Sequence, residues 1–155
     1  MADVVNAATR SRMMAGIRGK DTRPEMIIRR GLHARGFRYR LHDRRLPGSP
    51  DLVFPGRRAV IFIHGCFWHG HGCNLFRLPA TRTEFWEAKI EGNRARDGSA
   101  EAALLADGWR VLSIWECALK GRERLTVDEV LDQAVYWLAN GPIQETIAGG
   151  VNGSL

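Results

Sequence analysis

PDLVFPGRRAVIFIHGCFWHGHGC, residues Pro50 to Cys73, decides the architecture. Two apolar runs, Leu52–Phe54 and Ala59–Ile63, flank Pro55-Gly56, the turn signal between two strands of a hairpin. Asp51 stands at the mouth of the first strand. Beyond the second, His64–Cys73 is too polar and glycine-rich for a helix and reads as a loop. It carries three of the five histidines and two of the three cysteines, with Phe67 and Trp68 adjacent. The stretch predicts an acid-plus-histidine, metal-dependent site beside a separate zinc site.

Upstream of the hairpin, Phe37–Leu41 alternates Phe, Tyr and Leu with Arg and reads as a strand. His42–Ser49 is a turn-rich connection. Thr22-Arg23-Pro24-Glu25 is a capping-box signature with Pro in the first turn. It predicts a helix from about Arg23 to Arg35 that buries Met26, Ile27 and Leu32 and stops at Gly36. Residues 1–21 form a basic N-terminal arm with a short helical segment near Thr9–Gly16, a segment that folds on meeting a partner.

Downstream, Asn74–Arg82 is a loop, and Thr83-Glu84-Phe85-Trp86 opens a helical stretch to about Asp107. Ile90 and the Ala/Leu cluster at 100–105 face inward. The polar run Asn93–Ser99 (NRARDGS) predicts a kink or break. Gly108 ends the helix, Trp109–Trp115 is a buried strand, and Glu116–Gly121 turns away. Thr126-Val127-Asp128-Glu129 caps a last helix to about Ala139, with Val130, Leu131, Ala134 and Trp137 inward. Residues 141–155 read as a flexible tail, leaving 22–140 as the folded domain. Three closely joined strands make an antiparallel meander, and the last returns through a helix as a parallel crossover does. The fold class is α/β with a central mixed sheet flanked by helices.

At 155 residues the chain is long enough for a real core in one domain. Its charge is +6, which points to a polyanionic partner. The excess is uneven: residues 1–50 hold 12 Lys/Arg against four Asp/Glu, +8 there and −2 over the rest. No apolar run approaches the ~20 residues of a membrane helix, and the N-terminus lacks a signal peptide's apolar stretch. Three cysteines argue against a disulfide framework and for a reducing cytoplasm.

Those cysteines suggest a metal instead. Cys66-x4-His71-x-Cys73 is compact, and Cys117 can arrive from the end of the returning strand. Three thiolates and one imidazole with no open position suit structural zinc, and without it Gly70 and Gly72 would make the loop costly to order. Spacing leaves both His69 and His71 open as the fourth ligand, since both share parity with Cys73. The chemistry is less regular. A carboxylate after Pro at the start of a central strand commonly holds a divalent cation against a phosphodiester. Its usual companions, a second acid on the next strand and a lysine two residues later, are missing, since Ala59–Ile63 has no charge. His64 and His69 remain for proton transfer, and Glu25 could add a carboxylate through metal-bound water.

Four motifs give these residues a context: RSRMMAGIRGKDTRPE (Arg10–Glu25), HGCFWHGHGC (His64–Cys73), PATRTEFW (Pro79–Trp86) and GWRVLSIWECAL (Gly108–Leu119). Together they closely resemble the very-short-patch repair (Vsr-type) DNA mismatch endonucleases over about residues 8–140. The resemblance implies a PD-(D/E)xK nuclease-like core without the usual second acid and lysine. It implies a magnesium-dependent nick in one strand, 5′ to the thymine of a T:G mismatch left by deaminated 5-methylcytosine. By motif, Asp51 becomes the magnesium ligand, with Ile63 offering its backbone carbonyl. His69 becomes the general base, Glu25 a water-mediated contact, and His64 a neighbour of the active site. Cys66, His71, Cys73 and Cys117 become the zinc ligands. Position 63 is Ile where the family has Thr, and Gly70 and Gly72 replace a histidine-rich run.

The same resemblance implies that Phe67, Trp68 and Trp86 wedge into DNA beside the mismatch, where unstacking costs less than at a matched pair. Met14 and Lys89 would then contact the mismatch, with the basic arm crossing the minor groove. The implied partner is double-stranded DNA, met by a monomer acting at the bacterial nucleoid, with mismatch-repair proteins as further partners. Two competing readings stand beside this one: a zinc-stabilised DNA-binding module without catalysis, and a nickase of the same fold with another target, such as phage defence.

Overall fold

The computed structural model describes residues 21–73 and 75–150. Helix α1 spans Arg23–Ala34, followed by β1 (Arg40–Leu41), β2 (Leu52–Phe54), β3 (Ala59–His64), α2 (Thr83–Ala106), β4 (Arg110–Trp115), α3 (Val127–Asn140) and β5 (Gln144–Ile147). The strands form one sheet in the order β1-β2-β3-β4-β5. Pairing is antiparallel across β1–β2 and β2–β3 and parallel across β3–β4 and β4–β5. The expected mixed α/β sheet is therefore present. Met14, Thr9–Gly16 and the rest of residues 1–20 lie outside the described residues.

Side-chain parity in the sheet divides the core in two. Leu52, Phe54, Ala59, Ile61, Leu112 and Ile114 point to one face, where Ile28 and Leu32 of α1 and Val130, Leu131, Ala134, Trp137 and Leu138 of α3 cover them. Val53, Val60, Phe62 and Val111 point to the other, where Leu104 of α2 covers them. Strands buried on both faces lose the polar/apolar alternation of a half-exposed sheet, which is why β3 reads as a continuous apolar run.

Four expectations need correction. The inward residues of α1 are Glu25, Ile28 and Leu32, while Met26 and Ile27 are only partly buried. The helix is phased by Gly31, which lies against Leu131 of α3, and that phase turns an acid inward. Helix α2 runs unbroken for 24 residues, because Asn93 and Asp97 are spent on contacts with the 65–73 loop described below. β1 is only two residues long, although Phe37 and Tyr39 still pack edge-on to Phe54. Residues 144–147, read as part of a flexible tail, form a strand against β4 with Ile147 in the core. Residues 151–155 of that tail lie outside the described residues. Among those described, no helix is long and apolar enough to cross a membrane.

The α1–α3 contact yields a test with an unusual sign. Replacing a helical glycine by alanine normally stabilises by about 1 kcal/mol. Here a Cβ on Gly31 would meet Leu131 Cδ1 at 2.3 Å and Cγ at 3.0 Å. Leu131 is 4% exposed and has nowhere to go. Gly31→Ala should therefore destabilise by about 1–3 kcal/mol through overpacking, read as a lower denaturant midpoint with an unchanged m-value.

Candidate active site and metal centre

Register places the chemistry. Leu52 pairs with Ile61 and Val53 with Val60, so Asp51 lies beyond the last paired position of β2 and its side chain turns to the α2 face. Asp51 Oδ2 accepts a hydrogen bond from the Ile63 backbone N–H at 2.7 Å. Burial pushes the Asp51 carboxyl up to about 6, against the opposing pull of that N–H. A carboxylate desolvated in this way gains from a cation beside it.

Glu25, at 2% exposure, approaches from α1. Thr22 caps the helix by accepting the Glu25 N–H, but the Glu25 carboxylate does not close a capping box on Thr22. Its Oε1 accepts the Asp21 N–H at 3.1 Å. Its Oε2 meets Arg29 NH1 at 3.0 Å and His42 Nε2 at 2.7 Å.

The histidines follow β3. His64 shares the parity of Phe62 and stacks on it, with ring centroids 5.5 Å apart. Burial, then the neighbouring His69, brings the His64 pKa down to about 3, so the ring stays neutral at working pH. His69 lies 4.3 Å from His64 between ring centroids, and its Nδ1 is 2.5 Å from Asp97 Oδ2 on α2. That contact leaves Nε2 as the ring's other nitrogen for exchange with a ligand. Asn93, one turn earlier on α2, donates from Nδ2 to the Trp68 carbonyl at 2.7 Å. Asn93 and Asp97 thus sit four residues apart on one helix face and clasp the loop. This is the physical use of the polar run that suggested a break.

Phe67, Trp68 and Trp86 form a triangle of rings, with centroids 5.2 to 5.6 Å apart and planes steeply inclined. Asp51, Glu25, His64, His69, Ile63 and the three rings all line one cleft of about 1160 Å³. Lys89 is not part of that lining.

Cys66, His71, Cys73 and Cys117 meet on the other side of the loop, with one ligand atom from each within 4.8 Å of the others. His71 Nδ1 is 3.6 Å from both Cys66 Sγ and Cys117 Sγ. A tetrahedral ion with Zn–S of about 2.3 Å and Zn–N of about 2.05 Å requires a ligand edge of about 3.6 Å, so the donor set fits zinc. The Leu75 and Gly149 backbone N–H groups point at the sulfurs of Cys73 and Cys117, as hydrogen bonds to thiolate ligands do. The Cys66–Cys117 contact lowers the Cys117 thiol, with help from the Gly149 N–H, and raises that of Cys66. Trp115 joins the two centres: His71 stacks on it at 4.2 Å and 11°, and His64 lies 4.8 Å away.

Spacing along the chain did not reveal Asp97, Asn93, His42 or Trp115. The pairs they make are 28, 25 and 17 residues apart for Asp97–His69, Asn93–Trp68 and His42–Glu25. The one local signal was the cluster of polar residues in the middle of α2.

The family model described as DNA mismatch endonuclease Vsr matches residues 2–75. The DNA mismatch endonuclease Vsr of Escherichia coli K12 is 49% identical over 138 residues, 89% of this chain and 88% of that protein. The type II nicking enzyme V.XorIIP of Xanthomonas oryzae pv. oryzae is 54% identical over 119 residues, 77% of this chain and 88% of that enzyme. The type II nicking enzyme V.NmeAIP of Neisseria meningitidis is 44% identical over 138 residues, 85% of this chain and 99% of that enzyme.

The clasp can be tested apart from chemistry. Asn93→Ala removes the donor to the half-buried Trp68 carbonyl and should cost about 1–2 kcal/mol. Amide hydrogen exchange over residues 66–73 should accelerate while β3 and β4 stay protected. Unchanged exchange in the loop would mean that Asn93 does not hold it.

Proposed function

The chain belongs to the Vsr family of DNA mismatch endonucleases, and on that footing we propose that it nicks one strand of duplex DNA 5′ to the thymine of a T:G mismatch, with magnesium at Asp51 and structural zinc at the cysteine cluster. That it is an endonuclease acting on DNA follows from the family. The mismatch, the strand and the ions are the proposal. The observation that carries it is the convergence of Asp51, His69–Asp97 and the aromatic triangle on one cleft. A mixed sheet with Asp51 at the mouth of its hairpin supports a PD-(D/E)xK-like core in which histidines replace the missing acid and lysine.

Each residue then has a task. Asp51 would hold the ion with the Ile63 carbonyl, and Glu25 would contact it through water. When bound, magnesium supplies Lewis-acid polarisation of a phosphoryl oxygen. His69, oriented by Asp97, takes the proton of the attacking water as general base. His64, buried and neutral, packs against His69 and puts no like charge beside it. Phe67, Trp68 and Trp86 open the base step next to the mismatch, where stacking on an aromatic contributes about 1–3 kcal/mol per base. Cys66, His71, Cys73 and Cys117 would hold zinc, whose closed ligation would stiffen the loop carrying His69, Phe67 and Trp68. Met14 and Lys89 contact the mismatch, and the basic N-terminal arm supplies salt-sensitive affinity for any duplex.

The deciding experiment incubates matched and mismatched duplexes with magnesium and maps products by strand. A nick 5′ to the mismatched T, absent from the matched duplex, is expected. Equal nicking of matched duplex would overturn the mismatch requirement. Asp51→Asn should abolish nicking while DNA binding persists. Because the Asp51 carboxyl stands near 6 without metal, a proton competes with magnesium below that pH. Apparent magnesium affinity should fall by up to about tenfold per pH unit there and level off above it.

The two loop histidines should separate cleanly. One zinc per chain is expected by metal analysis, and chelation should lower the thermal midpoint rather than only the rate. His71→Ala should release the zinc. His69→Ala should keep it and slow nicking by about 10²–10⁴-fold. Equal zinc loss in both variants would contradict this division of roles.

A further inference from the structure

Two acids of the cleft, Glu25 from α1 and Asp51 from the sheet, come from distant parts of the chain, and one residue joins them. His42 Nε2 is 2.7 Å from Glu25 Oε2 and 4.0 Å from Asp51 Oδ1. Its own backbone N–H donates to the Asp51 carbonyl at 3.1 Å. The residue is therefore tied to Asp51 through its main chain and to Glu25 through its ring.

Two further observations mark the contact as built rather than incidental. His42 has φ +44, a left-handed backbone that costs a non-glycine residue free energy and persists only where its surroundings impose it. And Glu25 is held by three donors, the Asp21 N–H on Oε1 and Arg29 and His42 on Oε2, which leaves an acceptor position on Oε1. Asp21, Glu25 and His42 are close enough to hold an ion of their own. Arg29 closes that cluster with its guanidinium, 2.5 Å from Asp21 and 3.0 Å from Glu25. An arginine is protonated at every working pH, so this cluster is charge-balanced by Arg29 and needs no ion of its own.

We propose that His42 is a positioning residue of the metal centre, clamping the buried Glu25 carboxylate in register with Asp51 so that both acids address one divalent ion. Arg29 is the second jaw of the clamp. This rests on the reading of Asp51 as the ion's ligand. It assigns His42 no proton transfer and no contact with DNA. A partner of this kind, one hydrogen bond behind the ligand, typically governs ten- to hundredfold in metal affinity.

The test counts bound Mn²⁺ by electron spin resonance on the full chain with a nicked T:G duplex, a product that cannot turn over again. His42→Ala should weaken Mn²⁺ binding by about tenfold or more and lower kcat, while affinity for the duplex changes little and the thermal midpoint falls modestly because the buried Glu25 loses a partner. His42→Gln keeps an N–H donor within reach of Glu25 and shares the backbone cost of the Ala variant at this φ, so it should recover most of the Mn²⁺ affinity. His42→Asn suits a left-handed backbone but is too short to reach Glu25, and should bind Mn²⁺ as poorly as Ala. Wild-type Mn²⁺ affinity in His42→Ala, or no recovery in His42→Gln, would overturn the proposal. Asp51→Asn is measured in parallel. If it too binds Mn²⁺ like the wild type, the placement of the ion fails, which is a different result from silence at His42 alone.

Discussion

A single hydrogen bond, from the Ile63 N–H to the Asp51 carboxylate at 2.7 Å, fixes how the active face is built. It forms where the β2–β3 ladder ends and so depends on the register Leu52↔Ile61, Val53↔Val60, Phe54↔Ala59. Strand side chains alternate between faces, and a slip of one residue would send the whole set to the wrong side. In the observed register Asp51, Phe62 and His64 all face α2. The opposite face, with Leu52, Ile61 and Ile114, is left to apolar packing against α1 and α3. The apolar side specifies the register, because misplacing that many large side chains would cost far more than any polar contact returns. Chemistry on one face is thus secured by oil on the other.

Helix α2 performs the complementary task. Ile90 and Leu104 bury it against the body, while Asn93 presents a side-chain amide donor to the Trp68 carbonyl and Asp97 a carboxylate to His69 in the 65–73 loop. A break at Asn93–Ser99 would separate those two contacts. The helix stays whole because its polar residues find partners in the loop instead of competing with their own backbone, the usual reason such residues interrupt helices. The cysteine cluster holds the same loop from the other side, and Trp115 lies between His71 and His64. The loop is thus bordered twice, once by the cluster of Cys66, His71, Cys73 and Cys117 and once by a helix face.

Elements defined by local pattern were legible in the sequence: the hairpin around Pro55-Gly56, the caps at Thr22 and Thr126, the buried strand β4 and the inward face of α3. Legible too was the meeting of Cys66, Cys73 and Cys117, because cysteines are few and have little other use here, whereas spacing left His69 and His71 open and the family resemblance pointed to His71. What failed was phase and partnership. The register of α1 against α3 is set by Gly31 and Leu131, one hundred residues of chain apart, and no pattern within α1 announces it. β5 was missed because Gln144-Glu145-Thr146-Ile147 is an edge strand with three exposed residues, carrying almost no apolar signal. Glu25 was read as a capping acid and a water-mediated metal contact, but its burial becomes visible only with Arg29 and His42 around it.

The aromatic triangle shows what this arrangement achieves. Phe67, Trp68 and Trp86 are half-buried in the free protein and already lie edge-on to one another at 5.2 to 5.6 Å. Phe76 adds a fourth ring at 6.1 Å from Phe67, and Phe85 packs against Trp86 from the solvent side. Two of the three rings stand on the loop between Cys66 and His69, and the third stands on the first turn of α2. Fixing a side chain at an interface costs about 0.5–1.5 kcal/mol when it must be ordered during binding. Here that ordering is done during folding. Under the proposed wedge mechanism, the free energy of base–aromatic stacking is therefore available for opening the base step instead of being consumed in arranging the rings. The same rigidity links recognition to chemistry, because Trp68 and His69 are neighbours on one fixed backbone. On the proposed mechanism, a ring seated in the duplex would set the position of the imidazole, and a ring that cannot seat would leave it misplaced. Selectivity for an easily opened step would then enter through geometry at the reacting phosphate as well as through affinity.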